Sequence, residues 1–175
     1  MSLTHLARLL GLLCTVLSFS ALAASPVVKE ATTTIAAFQT QAFISGSYKK
    51  ILANNIKQPF LLAIWSVNCV SCMKDLALLR DIHKQKPALK IILLAADELS
   101  ASAQIHSILK KLQLTDLENW VFADGNDQKL RFEIDPKWYG EIPRTYFFNA
   151  AQQRTGISGV LSKGQYQEMI GKILP

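Results

Sequence analysis

The chain has 175 residues, enough for one domain with its own hydrophobic core, and we expect a single domain. Half of the residues are apolar and 18% are charged, a composition that excludes a disordered or fibrous protein. The net charge of +6 comes from scattered basic residues rather than from a basic tract interleaved with aromatic residues, so no nucleic-acid partner is expected.

The first residues have the pattern of a secretory signal peptide. Arg8 is followed by an uncharged apolar run from Leu9 to Ala24, and Ala21-Leu22-Ala23 fits the rule for cleavage after small residues. We therefore expect a signal peptide at 1–23 and a periplasmic or otherwise exported protein. The apolar run is shorter than the about 20 residues that a membrane-spanning helix needs. An uncleaved membrane anchor remains the alternative.

Removal of this leader changes the number of cysteines. Cys14 would be lost with it, and Cys69 and Cys72 would be the cysteines of the exported protein. A disulfide between residues so close in sequence closes too small a loop to stabilise the fold much. A structural disulfide therefore explains this pair poorly.

The first predicted elements alternate between strand and helix. A strand or extended arm is predicted in "TTTIAAFQTQAFISG", and a short helix at 47–56. Two continuous apolar runs, "FLLAIW" at 60–65 and "LKIILLAAD" at 89–97, are typical of strands buried on both faces. A helix lies between them and ends before Pro87.

The second half of the chain continues the alternation and then changes. The segment "SASAQIHSILKKLQL" predicts a helix with a serine as its N-cap, and "WVFAD" at 120–124 predicts a strand that a short helix to about Phe132 follows. After the loop "IDPKWYGEIP", the segments "RTYFFNA" and "TGISGVL" form a predicted hairpin, and a helix from Gly164 to Leu174 ends the chain. This order predicts an α/β domain with a parallel sheet, added antiparallel strands and covering helices.

The Cys69-x-x-Cys72 pair lies directly after the first strong strand, at the start of a helix. A helix N-terminus has unpaired N–H groups and a partial positive charge, and both stabilise a thiolate. We expect Cys69, at the mouth of the turn, to be the attacking nucleophile. Cys72 lies one turn further in and would resolve the mixed disulfide.

Metal binding by the same cysteines is less well supported. A structural zinc site needs four ligands, and His83 and His106 lack ligand spacing. Covalent haem attachment needs a histidine directly after the second cysteine, where the chain has Met73. Two thiolates can bind copper(I), so a copper-chaperone module remains the alternative function.

Two segments carry a resemblance to a known family. The strand and motif "FLLAIWSVNCVSC" and the segment "WYGEIPRTYFFN", which is similar to a G-x-P-x-T loop, resemble the thioredoxin fold and most closely the exported thiol-disulfide oxidoreductases of the TlpA/ResA type. The resemblance extends from about Phe60 to Leu174. It implies a central mixed sheet flanked by helices, with an N-terminal extension, in a single thioredoxin-like domain at 24–175 whose core lies at about 58–174.

The same resemblance implies a function. The protein is expected to be a thiol-disulfide oxidoreductase that reduces disulfides of exported partner proteins through a dithiol/disulfide cycle of Cys69 and Cys72. Its electrons would come from a membrane-bound thiol donor, and no cofactor or metal is expected.

The resemblance also assigns roles to residues near the cysteines. Asp75 stands three positions after the second cysteine, where the family has an acid thought to assist proton transfer. Pro143 is the expected cis-proline facing the cysteines, and Ile142 before it would pair with the substrate backbone. Trp138 and Tyr139 are candidates for a substrate-contacting surface.

Three features depart from the family pattern. Asn68 replaces the tryptophan that many relatives have before the first cysteine, which predicts a more open or differently partnered site. Ala63 occupies the position of a buried acid in thioredoxin, so proton transfer would depend on Asp75 or water. Val70-Ser71 contains no histidine to support a very acidic thiolate, which favours a reductant or a protein of moderate reduction potential.

Overall fold

The computed structural model of the protein describes residues 39–174. The predicted signal peptide at 1–23 with Cys14, and the start of the predicted arm, lie outside the described residues. Between residues 39 and 174, none of the helices combines the length and the apolar character needed to cross a bilayer.

The described residues form six strands and five helices, in the order that the sequence pattern predicts, and α3 is preceded by a 3-10 turn at Leu99–Ala101. The strands are β1 Thr40–Phe43, β2 Phe60–Trp65, β3 Lys90–Glu98, β4 Glu118–Phe122, β5 Arg144–Phe148 and β6 Arg154–Ser158. The helices are α1 Ser47–Asn54, α2 Val70–Gln85, α3 Ser102–Lys111, α4 Asp127–Ile134 and α5 Lys163–Ile173.

The six strands form one mixed sheet in the order β1-β4-β3-β2-β5-β6. The first four in this order are parallel, and β5 and β6 are antiparallel to their neighbours. This confirms the predicted α/β class with a central mixed sheet between helices. The strand β1 precedes residue 58, where the expected core began, and it pairs with β4 inside the same sheet.

Strand β2 shows why its sequence is continuously apolar. Successive side chains of a strand point to opposite faces, and both faces of β2 are covered by helices. Leu61, Ala63 and Trp65 pack in the cluster with side chains of α2, α3 and α5. The alternate side chains of β2 pack with those of α1 and α4 in the cluster on the other face.

The predicted serine N-cap of α3 is wrong. The residue at the cap position is Ala101, and no side chain caps the helix. The preceding 3-10 turn already leads the chain into α3, and the hydroxyl of Ser102 donates to the carbonyl of Leu99 at 2.5 Å instead.

The sheet topology brings three segments to one edge. Strands β2 and β3 are parallel, so the loops that follow them leave at the same edge. Strand β5 is antiparallel to β2 with Ile64 opposite Arg144, so the segment before β5 reaches this edge from the other direction. The cysteines, the end of β3 and the Ile142–Pro143 segment therefore lie around one end of the sheet.

Candidate active site

Cys69 and Cys72 form a disulfide at the start of α2. The sulfur atoms are 2.09 Å apart and the Cα atoms 5.2 Å apart. Cys69 is partly exposed, whereas Cys72 is fully buried in the core cluster that contains Trp65 and Leu76. The predicted difference in exposure is present, and a partner can reach only the first sulfur without moving the helix.

The surroundings of Cys69 suit a negatively charged sulfur. Cys69 is the N-cap of α2, and its Sγ accepts a hydrogen bond from the Cys72 N–H at 3.1 Å. The Ser71 hydroxyl lies 3.3 Å from the same sulfur. An N–H at a helix N-terminus and a hydroxyl can both donate to a thiolate at this position, and the helix dipole adds to their effect.

Asp97, at the carboxyl end of β3, holds the loop that leads to the first cysteine. One carboxylate oxygen accepts from the Ser66 hydroxyl at 2.8 Å and the other from the Val67 N–H at 3.0 Å. The Ser66 oxygen in turn accepts from the Asn68 N–H at 3.3 Å. Sequence reasoning missed Asp97; the available signal was an acid at the carboxyl end of a predicted buried parallel strand, since such strand ends lie together at one end of the sheet.

We expect Asp97→Ala to loosen this loop. The Val67 N–H loses its acceptor, and the Ser66 hydroxyl, which accepts from the Asn68 N–H, loses the carboxylate that holds it. Loss of a hydrogen bond to a charged group costs about 1.5–3 kcal/mol. Hydrogen exchange at Val67 is therefore expected to accelerate by about tenfold or more, with slower disulfide exchange at Cys69.

The matched control is Asp124→Ala. Asp124 accepts from the backbone N–H of Ser45 at 3.1 Å, so its loss should accelerate exchange at Ser45 and leave Val67 unchanged. Equal protection of Val67 in Asp97→Ala and the unaltered protein would contradict the proposed tether.

Asp75 is a buried carboxyl group on the core side of α2. It is 3% exposed and stands one turn after Cys72, so both side chains occupy the same helix face. Its Oδ2 accepts from the Tyr166 hydroxyl at 2.8 Å, and its Oδ1 from the Leu161 N–H at 3.3 Å. Burial raises the pKa of Asp75 above its ordinary value, and the two hydrogen bonds oppose that rise in pKa only in part.

The buried acid of this site thus comes from α2 and not from β2. Ala63 on β2, which the resemblance places where thioredoxin has a buried acid, is buried and apolar. Tyr166 on α5 was missed because a tyrosine at a core position of an amphipathic helix has no sequence signal beyond packing. Its hydroxyl also lies 3.2 Å from Thr145 Oγ1 on β5.

The Ile142–Pro143 peptide bond is cis. Pro143 is buried, Ile142 is partly exposed, and the carbonyl of Pro143 accepts from the Gly159 N–H at 2.8 Å. Gly159 has a φ of +91°, a conformation that side-chain-bearing residues rarely adopt. The loop after β6 is thereby attached to the Ile142–Pro143 segment, and two residues later it supplies the Leu161 N–H that contacts Asp75.

Trp138 lies in the core rather than on the surface. It is 4% exposed, packs in the cluster on the face opposite α2, and donates from Nε1 to the Glu141 carbonyl at 2.9 Å. Its burial does not support the expected direct contact with a substrate, because the indole packs the loop against the domain. The neighbouring Tyr139 is 91% exposed.

Arg144, directly after Pro143, is held by internal contacts. Its guanidinium pairs with Asp135 at 3.2 Å and Glu141 at 3.4 Å, and it donates to the Tyr146 hydroxyl at 2.7 Å. Burial acts to raise the pKa of Asp135, but the Lys137 N–H and the charge of Arg154 hold this pKa below its ordinary value. The ionised carboxylate keeps the 135–143 loop attached to β5.

Exposed apolar side chains occur beside Cys69 and in the two loops around Pro143. Val70 is 80% exposed beside Cys69, and Tyr139 and Val160 belong to the two loops that flank Pro143. Asn68 is also exposed. The position directly before the first cysteine thus carries an exposed amide in place of an aromatic side chain.

No metal-binding group is assembled in the part of the chain that the structure describes. No three histidine, cysteine, aspartate or glutamate side chains come together there in a way that could hold an ion. His83 instead lies 2.8 Å from Asp116 through Nε2.

The fold and the site together define a thioredoxin-like protein with a Cys-x-x-Cys disulfide at the N-terminus of α2, the helix that follows β2. No protein-family model and no curated protein matches the sequence. Solved structures do match, and they are thioredoxin-fold proteins, which confirms the fold that the sequence resemblance implied.

Three of these structures illustrate the likeness. A secreted Mycobacterium tuberculosis disulfide oxidoreductase homologous to E. coli DsbE is 19% identical, with a TM-score of 0.56 over 69% of this chain and 85% of its own. A thiol:disulfide interchange protein of the thioredoxin family from Chlorobium tepidum is 14% identical, with a TM-score of 0.58 over 71% and 85%. The thioredoxin domain of a thiol-disulfide oxidoreductase from Bacteroides vulgatus is 13% identical, with a TM-score of 0.55 over 70% and 84%.

Proposed function

We propose that this protein is an exported thiol-disulfide oxidoreductase that reduces disulfides of partner proteins. The observation that carries the proposal is the Cys69–Cys72 disulfide at the N-terminus of α2, with one sulfur accessible and the other buried one turn before a buried carboxyl group. Two of the similar structures are named as disulfide oxidoreductases, and one of these as secreted, which supports the oxidoreductase class and the export.

The cycle starts from the reduced protein. The Cys69 thiolate attacks one sulfur of a partner disulfide; a Cys69–partner bond forms, and the other partner sulfur leaves as a thiolate and takes up a proton. Cys72 loses its proton and attacks Cys69 Sγ, which forms the Cys69–Cys72 bond and releases the second partner thiolate. Two electrons pass from the dithiol to the partner, and a membrane-bound thiol donor is the proposed source of new electrons.

Asp75 is the proposed proton acceptor for Cys72. A buried thiol is a poor nucleophile until it is deprotonated, and the carboxylate stands on the same face of α2, one turn away. The raised pKa of Asp75 suits this exchange, since a carboxyl group with an ordinary pKa would hold a proton too weakly near neutral pH.

The partner is proposed to bind along the Ile142–Pro143 segment. Ile142 is partly exposed and would offer its backbone to an extended segment of the partner. Val70 and Asn68 are exposed beside Cys69, Tyr139 is exposed in the loop before Pro143, and all three are proposed to contact the same segment. The small amide of Asn68 leaves more room here than a tryptophan would.

The alternative is a copper(I)-binding module that uses the same two thiolates. It requires the reduced pair, because the disulfide has no free thiolate to offer. Copper content after anaerobic purification decides between the two: one tightly bound copper ion per chain with slow disulfide exchange would favour the module.

The reduction potential of the Cys69–Cys72 couple tests the direction of the reaction. Val70 and Ser71, the residues between the cysteines, are uncharged and cannot add a positive charge beside Cys69. We therefore expect a reduction potential close to that of thioredoxin, roughly −270 mV. Equilibration with glutathione buffers of known ratio, read by alkylation of free thiols, measures it. A value near roughly −120 mV, as in strong oxidants, would reverse the proposed direction.

A further inference from the structure

We propose that Tyr166 is a positioning residue for Asp75: with Thr145 it forms a hydrogen-bond chain whose direction can reverse, so that the carboxyl group has partners in both its ionised and its protonated form. This inference rests on the proposed role of Asp75 as the group that exchanges a proton with Cys72. Tyr166 and Thr145 are the residues that would make this exchange possible in a buried site.

The two oxygens of Asp75 face different partners. Oδ1 lies 3.3 Å from the Leu161 N–H, which can only donate. Oδ2 lies 2.8 Å from the Tyr166 hydroxyl, which has one hydrogen to donate and lone pairs to accept. A protonated Asp75 would therefore carry its hydrogen on Oδ2 and use Oδ1 as a carbonyl oxygen.

The hydrogen bonds of this Asp75–Tyr166–Thr145 chain can point in either of two directions. With Asp75 ionised, Tyr166 donates to Oδ2, and the Thr145 hydroxyl, 3.2 Å away, donates to Tyr166. With Asp75 protonated, Oδ2–H donates to the Tyr166 oxygen, and Tyr166 donates to Thr145. The hydroxyl hydrogens rotate, no heavy atom has to move, and no proton leaves Tyr166.

Burial makes such a chain necessary. Asp75, Thr145 and Tyr166 are each 3% exposed or less, so water cannot replace a missing partner without opening the core. A buried polar group without a hydrogen-bond partner is destabilising. A carboxyl group that gains and loses a proton would lack a partner in one of its two forms unless its neighbour can both donate and accept. Burial and the charge of Asp75 raise the pKa of Tyr166, so its hydroxyl keeps its hydrogen throughout.

The groups that face Asp75 come from three elements. Tyr166 faces it from α5, the uncharged N–H of Leu161 from the loop after β6, and the Cys72 thiol from its own helix once the disulfide is reduced. Among the described residues, Tyr166 is the one whose hydrogen-bond direction can change with the charge of Asp75 while the disulfide is intact.

The test replaces Tyr166 with phenylalanine, which keeps the ring and removes the hydroxyl. The variant removes a donor to the ionised carboxylate and an acceptor for the protonated carboxyl group. The hydrogen bond to the charged form is the stronger of the two, so the ionised form is disfavoured more. We expect the titration of the ¹³C-labelled Asp75 carboxyl carbon, followed by NMR in the oxidised protein, to move upward by about one pH unit. The acid limb of the pH dependence of disulfide exchange should move in the same direction.

Two further variants separate this role from packing. Thr145→Val removes the far end of the chain and should give a smaller shift in the same direction, which keeps the test valid if Tyr166→Phe does not fold. Tyr48→Phe removes a hydroxyl from a buried tyrosine on the other face of the sheet and should leave both titrations unchanged.

The outcomes are distinguishable. An unshifted Asp75 titration in Tyr166→Phe and Thr145→Val would overturn the hydrogen-bond chain and leave the oxidoreductase proposal standing. Absence of disulfide exchange in the unaltered protein would overturn the oxidoreductase and the proton exchange with Cys72, while the carboxyl titration would still decide whether Tyr166 controls Asp75.

Discussion

Replacing Cys69 with serine is expected to abolish reduction of partner disulfides. Serine supplies an N-cap oxygen to helix α2 in place of the sulfur, so the fold should persist, but the variant has no accessible sulfur that can attack a partner disulfide. The activity should fall to the background rate of the assay, measured by reduction of a model protein disulfide with dithiothreitol or glutathione as the electron source.

Cys72→Ser gives the complementary result. Cys69 can still attack, but nothing inside the protein releases the partner, so mixed disulfides should accumulate as adducts on a non-reducing gel. Val70→Ser introduces the same side chain at an exposed neighbouring position and should retain exchange with small thiols. Full activity of Cys69→Ser would contradict the mechanism. Adducts that depend on Cys72 alone would mean that Cys72, and not Cys69, is the attacking nucleophile.

Asp75→Asn is expected to slow the resolving step by about a hundredfold, the lower end of what a positioned acid or base contributes. The amide cannot take the proton of Cys72, so adducts should persist longer in this variant. Asp81→Asn is the matched control: Asp81 is also on α2, but its side chain is 48% exposed beside Arg80, and its loss should not change the rate. An unchanged resolution rate in Asp75→Asn would exclude Asp75 as the proton acceptor.

The substitution Asp75→Asn is also expected to change the stability of the protein in a pH-dependent way. Because burial raises the pKa of Asp75 in the folded protein, the unfolded chain releases this proton first as the pH rises above about 3.8. Stability is therefore lost as the pH rises from there through the folded pKa, by about 1.4 kcal/mol for each unit of pKa difference. The amide of the variant does not titrate, so the free energy of unfolding of Asp75→Asn relative to the unaltered protein should increase with pH.

Urea unfolding of the oxidised proteins at pH 4 and pH 8 measures this difference. Other titrating groups are shared by the two proteins and cancel in the comparison. A variant that loses activity and gains relative stability at pH 8 would show that the buried charge is retained for chemistry. A stability difference that is constant with pH would mean that Asp75 titrates alike in the folded and unfolded chains.

Much of the site was visible in the sequence because it depends on short-range patterns. The apolar run of β2 predicts a buried strand, and the change to helical spacing directly after it places Cys69 at a helix N-terminus. The role of Asp75 was implied by the family resemblance, and the helical spacing places it on the same face as Cys72, since residues three positions apart share one face. The fold class follows from the order of strands and helices, and this order can be predicted from local sequence patterns.

Trp138 shows the limit of such reasoning. An aromatic residue in a loop beside the site can face a partner or the core, and the residue type does not decide between them. In the folded protein the indole of Trp138 is 4% exposed in the core cluster, and its Nε1–H donates to the carbonyl of Glu141 in the same loop. The neighbouring Tyr139 is not packed in the core and stays exposed.

The strand–turn–helix position of Cys69 and Cys72, and the acid one turn further on, could be read from the chain alone, because neighbours in sequence set these relations. Which distant groups complete the site emerges from the folded molecule. Asp97 reaches the Ser66 loop across 31 positions, and Tyr166 reaches Asp75 across 91. Such hydrogen bonds depend on strand order and on which helix face meets the sheet, and no local pattern encodes the partner of a buried polar group.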